Sequence, residues 1–251
     1  MTDIDDLNDS IDIEIRSANS VANRCIILSA MARRMVLGSG LLADDAGEAL
    51  ALAFDLREWI RVEGLWNDLT PREAALIQNG VEHRVPGAVE EATHTSEVVA
   101  TLCWAMGLNE TLAEGPSDNL VTLLALVPSP WQKSSSWVSR QILRPDEQII
   151  QIRERSESWE WRLTVEPERR DLRGSQLRQL EKTILTVAQD GHSSGYLSHA
   201  GDRAFAIDAV PVSTMTIEDV EVYRSIAISR LKTLNWVCGF GDDWESVPLD
   251  V

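Results

Sequence analysis

The 251-residue chain contains few cysteines, and their placement restricts its class. It has 3, at positions 25, 103 and 238, all in apolar surroundings and none in a C-x-x-C pair. An odd number of widely spaced cysteines excludes a disulfide framework and indicates buried free thiols in a reducing compartment.

Long apolar runs are missing as well. No stretch of about 18 uncharged apolar residues occurs, so the sequence predicts no membrane-spanning helix. Residues Met1–Ser10 are acidic and lack an apolar segment, which excludes a secretory signal there. Together these absences predict a cytoplasmic protein.

Basic residues are outnumbered, with 23 Lys and Arg against 40 Asp and Glu, for a net charge of −17. Such a field repels nucleic-acid phosphates and anionic lipid headgroups, so we predict binding to neither nucleic acid nor membrane. A partner selected by charge should be a basic protein. Acidity also serves solubility alone, and this remains the simpler explanation of the charge.

Apolar residues recur every three or four positions through most of the chain, which predicts helices. The predicted helices cover 20–37, 45–62, 71–79, 95–106, 118–127, 145–170, 172–188 and 217–238. The helix at 118–127 is apolar almost all round and should be buried. Capping patterns at Thr70–Glu73 and Thr216–Asp219 predict where two of the helices begin. An extended segment is expected at 204–212 and, as an alternative to a frayed tail, at 11–15. We therefore predict a mainly α, multi-helix globular bundle with at most a short β element. It should form a single domain over 1–251, with a hinge or lobe boundary near 128–136, a stretch rich in proline and serine.

Motifs that carry chemistry in other proteins lack their structural setting here. Residues 191–195 match G-x-S-x-G, but a nucleophile elbow needs a preceding strand, and a helix is predicted instead. Residues 38–43 match G-x-G-x-x-A, yet they also follow a helix rather than a strand. Four loop residues could ligate a metal, although their spacing fixes no common point: Asp190, His192, His199 and Asp202. We predict no catalytic residue, no metal site and no cofactor.

Tryptophan is the abundant aromatic residue, with 9 copies against 2 Tyr and 3 Phe. Large rings near loops are typical of protein interfaces, and those on helices more often lie in a core. Glu97 and Trp104 share one helix face, and Arg230 and Asn235 indicate a polar network, which is either structural or a ligand site. The candidate binding residues are Glu97, Trp104, Arg153, Trp161, Arg230, Asn235, Trp236 and Trp244.

Several short motifs occur in a recognisable order. They are Arg24, Trp59, Leu69–Glu73, Ser96–Glu97, Leu102–Gly107, Arg230, Leu234–Val237 and Trp244–Val247. In this order, over most of the chain, the sequence resembles the bacterial domain-of-unknown-function family 4272. The resemblance implies a helical bacterial protein and supplies no activity, cofactor or catalytic residue.

Two functions remain open. The first is a non-enzymatic cytosolic protein-binding module, in its concrete version an acidic immunity- or antitoxin-like inhibitor of a basic partner. Its basis is the charge, the tryptophans and the lack of an assembled active site. The second is an enzyme or small-ligand binder with a polar pocket around Glu97, Arg153, Arg230 and Asn235, which requires these side chains to converge in a cleft.

Overall fold

Helices supply nearly all the regular structure in the computed structural model, which describes residues 13–37, 45–78, 88–112, 115–117, 119–201 and 204–250. The helices are α1 (Ala18–Val36), α2 (Ala46–Val62), α3 (Pro71–Gln78), α4 (Ala88–Ala105), α5 (Leu120–Leu124), α6 (Ser135–Val138), α7 (Asp146–Thr164), α8 (Glu166–Asp171), α9 (Gly174–Ser193) and α10 (Ile217–Val237). Single 3-10 turns lie at Leu65–Asp68 and Val212–Thr214. The antiparallel strands β1 (Ala206–Ile207) and β2 (Val210–Pro211) pair Ala206 with Pro211. The predicted mainly α class with a short β element is confirmed.

The larger hydrophobic core forms around α1 and α4. Ser17 caps the start of α1, and its side chain accepts a hydrogen bond from Ser20 N at 3.2 Å. Its apolar residues are buried on several sides, because α2, α3, α4 and α6 all contact it. The two cysteines that the sequence places far apart meet here, with Cys25 Sγ 3.9 Å from Cys103 Sγ. The prediction of buried free thiols is confirmed.

A second hydrophobic core lies between α7, α9, the β hairpin and the first half of α10. Trp159 packs edge to face on Phe205 in this core, with ring centroids 5.4 Å apart. Helix α10 contributes to both cores: Val220 and Ala227 belong to the second, and Leu234 and Val237 to the first. The long α10 therefore connects the two halves of the molecule.

The segment predicted as a hinge at 128–136 is bonded to α2. Trp59 Nε1 donates to Gln132 O at 2.9 Å, and Ser134 N donates to Glu63 Oε2 at 2.8 Å. Trp59 is also buried, as predicted for a tryptophan on a helix. A lobe boundary at this segment stays a prediction.

Helices α4 and α5 have other bounds in the structure than the sequence predicts. Helix α4 begins at Ala88 rather than at residue 95. Helix α5 covers only Leu120–Leu124, and Pro128 disfavours helical backbone at residue 127, where the predicted helix ended. Val121 is 46% exposed, so the expectation that this segment is buried all round was wrong.

The predicted helix 145–170 is two helices with a break at Val165. Pro167 occupies the first turn of α8, where its missing N–H is tolerated, and it could not continue the hydrogen-bond ladder of α7. The motif at 191–195 was expected to be a loop, but residues 191–193 are the last residues of α9.

Some predictions fall outside the described residues: the pattern at 38–43, Asp118 and Asp202. Within the described ranges, no three or more His, Cys, Asp and Glu side chains are grouped to hold a metal ion. The helices of those ranges are all too short or too polar to cross a membrane.

Candidate functional site

An open cleft of about 620 Å³ lies between the start of α1, the segment leading into α3 and the segment that follows α10. Two of its lining residues are Trp236 and Trp244, which pack edge to face with ring centroids 5.4 Å apart. Four carboxylate side chains and two arginines also line it: Asp68, Asp242, Asp243, Glu245, Arg16 and Arg24. Because the carboxylates outnumber the guanidinium groups, the cleft favours a cationic ligand group.

One wall of the cleft is built by a capping box joined to α1. Thr70 Oγ1 accepts from Glu73 N at 3.3 Å, and Glu73 Oε2 accepts from Thr70 N at 2.9 Å, as the sequence motif predicts. The Glu73 carboxylate also accepts hydrogen bonds from both terminal nitrogens of Arg24. The Arg24 guanidinium lies 4.6 Å above the Trp244 ring, so Glu73 and Trp244 hold it from two sides.

The opposite wall is the segment that follows α10. Arg16 donates hydrogen bonds both to the end of α10 and to this segment. Arg16 Nε donates to Trp236 O at 2.7 Å, and its Nη2 donates to Gly241 O at 2.6 Å. The guanidinium also lies 4.7 Å from the centre of the Trp236 ring. Gly239 has φ +89°, and a Cβ there would lie 2.5 Å from Glu14 O, so only glycine allows this close approach.

Asp243 shapes the turn that carries the acidic rim. Its Oδ1 accepts from Glu245 N and from Ser246 N, both at 2.8 Å. Hydrogen bonds from Ser246, followed by the one from Glu245, hold the pKa of Asp243 below its ordinary value, although desolvation opposes them. Asp242, Asp243 and Glu245 are exposed, so their charges face solvent at the cleft.

A second cavity of about 440 Å³ adjoins the cleft. Trp244 and Glu245 line both, while Arg24 lines the cleft and Glu73 lines the second cavity, so this ion pair lies between them. The second cavity is more apolar, and its walls include side chains of α1, α3, α4 and α10: Leu28, Met31, Leu76, Val98 and Ile228. The two together form one surface with an acidic part and a more apolar part, and the wall of the apolar part also carries Arg72 and Lys232.

Glu97 and Arg230, predicted as candidate binding residues, form an ion pair between α4 and α10. Arg230 Nη2 donates to Glu97 Oε2 at 2.7 Å, and the side chains are only 2% and 7% exposed. Ser117 N and Ser117 Oγ each donate to the same carboxylate at 2.7 Å. Gly115 O accepts from Arg230 at 2.7 Å, so the pair holds the 115–117 segment against both helices.

Arg153 and Asn235 form a separate link between α7 and α10. Arg153 Nε donates to Asn235 Oδ1 at 2.8 Å, and Asn235 Nδ2 donates to Pro248 O at 2.9 Å. Arg153 Nη1 further contacts Glu154 and Glu157 at 2.6 and 3.0 Å. The four residues of the predicted polar pocket are thus joined as two pairs along α10.

The candidate tryptophans lie in different places. Trp104 is buried in the larger core beneath Arg144, whose guanidinium is 5.0 Å from its ring. Trp161 is half-buried on α7, outside the lining of the cleft. Trp236 and Trp244 line the cleft, so two of the eight predicted residues belong to it.

Sequence reasoning missed Arg16, Asp68, Asp242 and Asp243, and noted Arg24, Glu73 and Glu245 only as motif residues. Arg24 and Glu73 are 49 positions apart, and Arg16 is 220 positions from Trp236, so no local spacing indicates these contacts. The Thr70–Glu73 capping box was the one local signal that pointed to this wall.

Comparison with known proteins gives a family and nothing more specific. No curated protein and no solved structure matches the chain significantly. The profile of a family described as a domain of unknown function, DUF4272, matches residues 4–180. The tail motifs at 230–247, which also carry the resemblance, lie beyond the matched range. The chain therefore belongs to the DUF4272 family.

Proposed function

We propose that this protein is a non-enzymatic binding module that receives a basic protein partner at the cleft beside Trp236 and Trp244. The observation that carries the proposal is the cleft lining, in which four exposed carboxylates stand beside two tryptophan rings. Carboxylates at a rim attract and orient arginine and lysine side chains. Tryptophan rings supply contact area that binds strongly once water is excluded. Here that area comes mainly from the half-buried Trp244, because Trp236 is only 6% exposed and supports Trp244 from below.

The arginines of the cleft do not cancel its acidity. Arg24 is already paired with Glu73, and Arg16 donates to two backbone carbonyls while contacting Trp236. The charges left to face a ligand are therefore mainly those of the carboxylates. The net charge of −17 adds a long-range field of the same sign, which accelerates the approach of a basic protein.

The adjoining apolar cavity supports a partner segment of mixed character. A cationic side chain would enter the cleft, and an apolar residue of the same segment would enter the cavity on the other side of Trp244. The concrete version of this proposal is a cytosolic inhibitor of a basic protein, as immunity proteins and antitoxins are. Glu97 pairs with Arg230 and Arg153 pairs with Asn235, each between two helices, so we place binding at the cleft rather than around them.

The test compares a cleft variant, in which neutral amides replace three carboxylates, with a control variant that loses the same number of charges elsewhere. Asp68→Asn/Asp242→Asn/Glu245→Gln removes three cleft charges but keeps Asp243, whose carboxylate holds the turn. Asp171→Asn/Asp190→Asn/Glu218→Gln removes three exposed charges elsewhere, so the net charge changes equally. Binding of a fluorescent arginine-rich peptide is measured by anisotropy, with a glutamate-rich peptide for comparison.

We expect the arginine-rich peptide to bind the wild type, with weaker binding at high salt. The cleft variant should lose about tenfold or more in affinity, and the control variant should change little. The same three proteins then serve as baits in host lysate, where a basic protein should be retained by the wild type and control only. Equal losses in both variants, or no binding of the arginine-rich peptide, would refute the cleft as the binding site.

A further inference from the structure

Glu166 at the start of α8 is fully buried and accepts hydrogen bonds from three arginines. Arg162 Nη2, Arg169 Nε and Arg170 Nε each lie 2.8 Å from one of its oxygens. Spacings of four, three and four residues place these side chains on one side of the α7–α8 junction. Three guanidinium groups around one carboxylate leave an excess of positive charge in an otherwise acidic protein.

A cavity of about 380 Å³ opens beside this cluster, and Arg162 and Arg169 line it. The rest of its wall is mostly apolar, and Ser213 adds a polar group. The apolar wall residues include Ile184, Leu185, Phe205 and Val212. One carboxylate also lines the cavity: Glu181, half exposed, whose Oε1 is 3.6 Å from Arg169 Nη1. The cavity thus has a cationic end and an apolar end.

Arg162 has donor capacity that the protein does not use. It is 3% exposed, and its Nη1 has no hydrogen-bond partner among the residues that the structure describes. A buried donor without an acceptor destabilises the folded state. Burial lowers the pKa of Arg162, although Glu166 opposes this effect. A ligand oxygen at the cationic end, reached by rotation of the guanidinium, would supply the missing acceptor.

We propose that this cavity binds a small organic oxyanion, a phosphate or carboxylate group attached to an apolar body. Arg162 and Arg169 hold the oxyanion by charge-assisted hydrogen bonds, and the apolar wall around Phe205 covers the body. Glu181 weakens binding for two reasons. Its negative charge repels the oxyanion, and its carboxylate competes with the oxyanion for Arg169. This ligand site is separate from the cleft, so each proposal stands or fails alone.

The test is isothermal titration calorimetry at constant ionic strength with four probes of graded chemistry. Phenyl phosphate and benzoate carry both an oxyanion and an apolar body, inorganic phosphate carries only the charge, and benzyl alcohol carries only the body. Phenyl phosphate or benzoate should bind at least tenfold more tightly than the other two, and which of them binds better identifies the oxyanion.

Two variants with opposite expected effects separate binding from damage to the fold. Arg169→Gln should lower the affinity for the preferred probe about tenfold, whereas Glu181→Gln should raise it several-fold. Arg178→Gln on the exposed side of α9 is the matched charge control and should leave it unchanged. No binding of any oxyanion at millimolar concentration, or weaker binding by Glu181→Gln, would overturn the proposal.

Discussion

At the scale of single residues, arginine side chains compensate two fully buried glutamates, Glu97 on α4 and Glu166 at the start of α8. Glu97 and Glu166 are 1% and 0% exposed, and arginine side chains donate to both. An uncompensated buried ion costs several kcal/mol, so removal of one partner costs more than the intact pair contributes. Single substitutions at these positions should therefore be more harmful than their surface counterparts.

Replacement of Glu166 should destabilise the protein strongly at neutral pH. Glu166→Gln leaves three arginines around a neutral side chain, and we expect the free energy of unfolding to fall by about 3 kcal/mol. Urea unfolding followed by circular dichroism measures the difference. The exposed neighbour Glu168→Gln is the control and should change it by less than about 0.5 kcal/mol.

The Glu166 effect should also depend on pH. Burial alone would raise the pKa of Glu166, but hydrogen bonds from Arg169, Arg170 and Arg162 outweigh it and lower the pKa to about 2. A carboxylate with a lowered pKa stabilises the fold above its ordinary pKa, and that contribution is lost as the pH falls through the folded value. The gap between wild type and Glu166→Gln should therefore shrink from about pH 5 towards pH 2. A gap that stays constant over this interval would contradict the assignment.

The thiols should be unreactive in the folded protein. The contact with Cys103 and burial raise the pKa of Cys25 well above its ordinary value, and burial raises the pKa of Cys238 to about 12. Because the thiolate is the reactive form, a disulfide reagent at pH near 8 should titrate none of the three buried thiols. Denatured protein is the control, in which all three should react at once.

At the scale of elements, short-range signals decide where helices begin and end. Thr216 Oγ1 accepts from Asp219 N at 3.1 Å at the start of α10, as its sequence predicts. Pro167 ends the ladder of α7 in the same local manner. The C-terminal end of α9 differs from these two cases. Packing against the chain that follows α9, rather than a local helix-end signal, requires glycine at position 191.

Gly191 should not tolerate alanine, although alanine favours helices. A Cβ at Gly191 would lie 2.6 Å from Leu197 Cδ1 and 2.7 Å from Tyr196 Cε2. We expect Gly191→Ala to lower stability by roughly 1–3 kcal/mol, because the returning chain must move away. Thermal unfolding measures the change, with the exposed Gln189→Ala on the same helix as a nearly neutral control. Stabilisation by Gly191→Ala would show that this packing is looser than described.

At the scale of the whole molecule, α10 holds the two hydrophobic cores together. It packs on α7 and α4, and its Arg230 and Asn235 carry the two polar links to those helices. Around this frame the surface is strongly acidic, with a net charge of −17. The ion pairs of Glu97 with Arg230 and of Glu166 with Arg162 are buried, so added salt should act mainly on the repulsion between exposed carboxylates.

Added salt should therefore stabilise the protein. Screening reduces the mutual repulsion of surface carboxylates, while the buried pairs of Glu97 and Glu166 are screened far less. Scanning calorimetry should give a Tm that rises by several degrees between low and moderate sodium chloride. A falling Tm would mean that exposed ion pairs contribute more than the surplus charge.

The sequence predicts what depends on neighbours within a few residues. Apolar periodicity and capping boxes indicated the helical class, the start of α3 and the long α10, because backbone hydrogen bonds and side-chain caps join nearby positions. The cluster of Arg162, Glu166, Arg169 and Arg170 had the same kind of signal in its spacing. These spacings are visible in the sequence, although no site is predicted from them.

The sequence by itself determined the helical class, the acidic surface and the free thiols, since these follow from composition and local pattern. Only the tertiary structure decided which polar residues meet. Glu97 and Arg230 pair across 133 positions, and Arg24, which belonged to no predicted site, joins Glu73 and Trp244 at the cleft. The reason is physical: helix packing sets these meetings, and packing depends on how apolar faces far apart in the chain fit together.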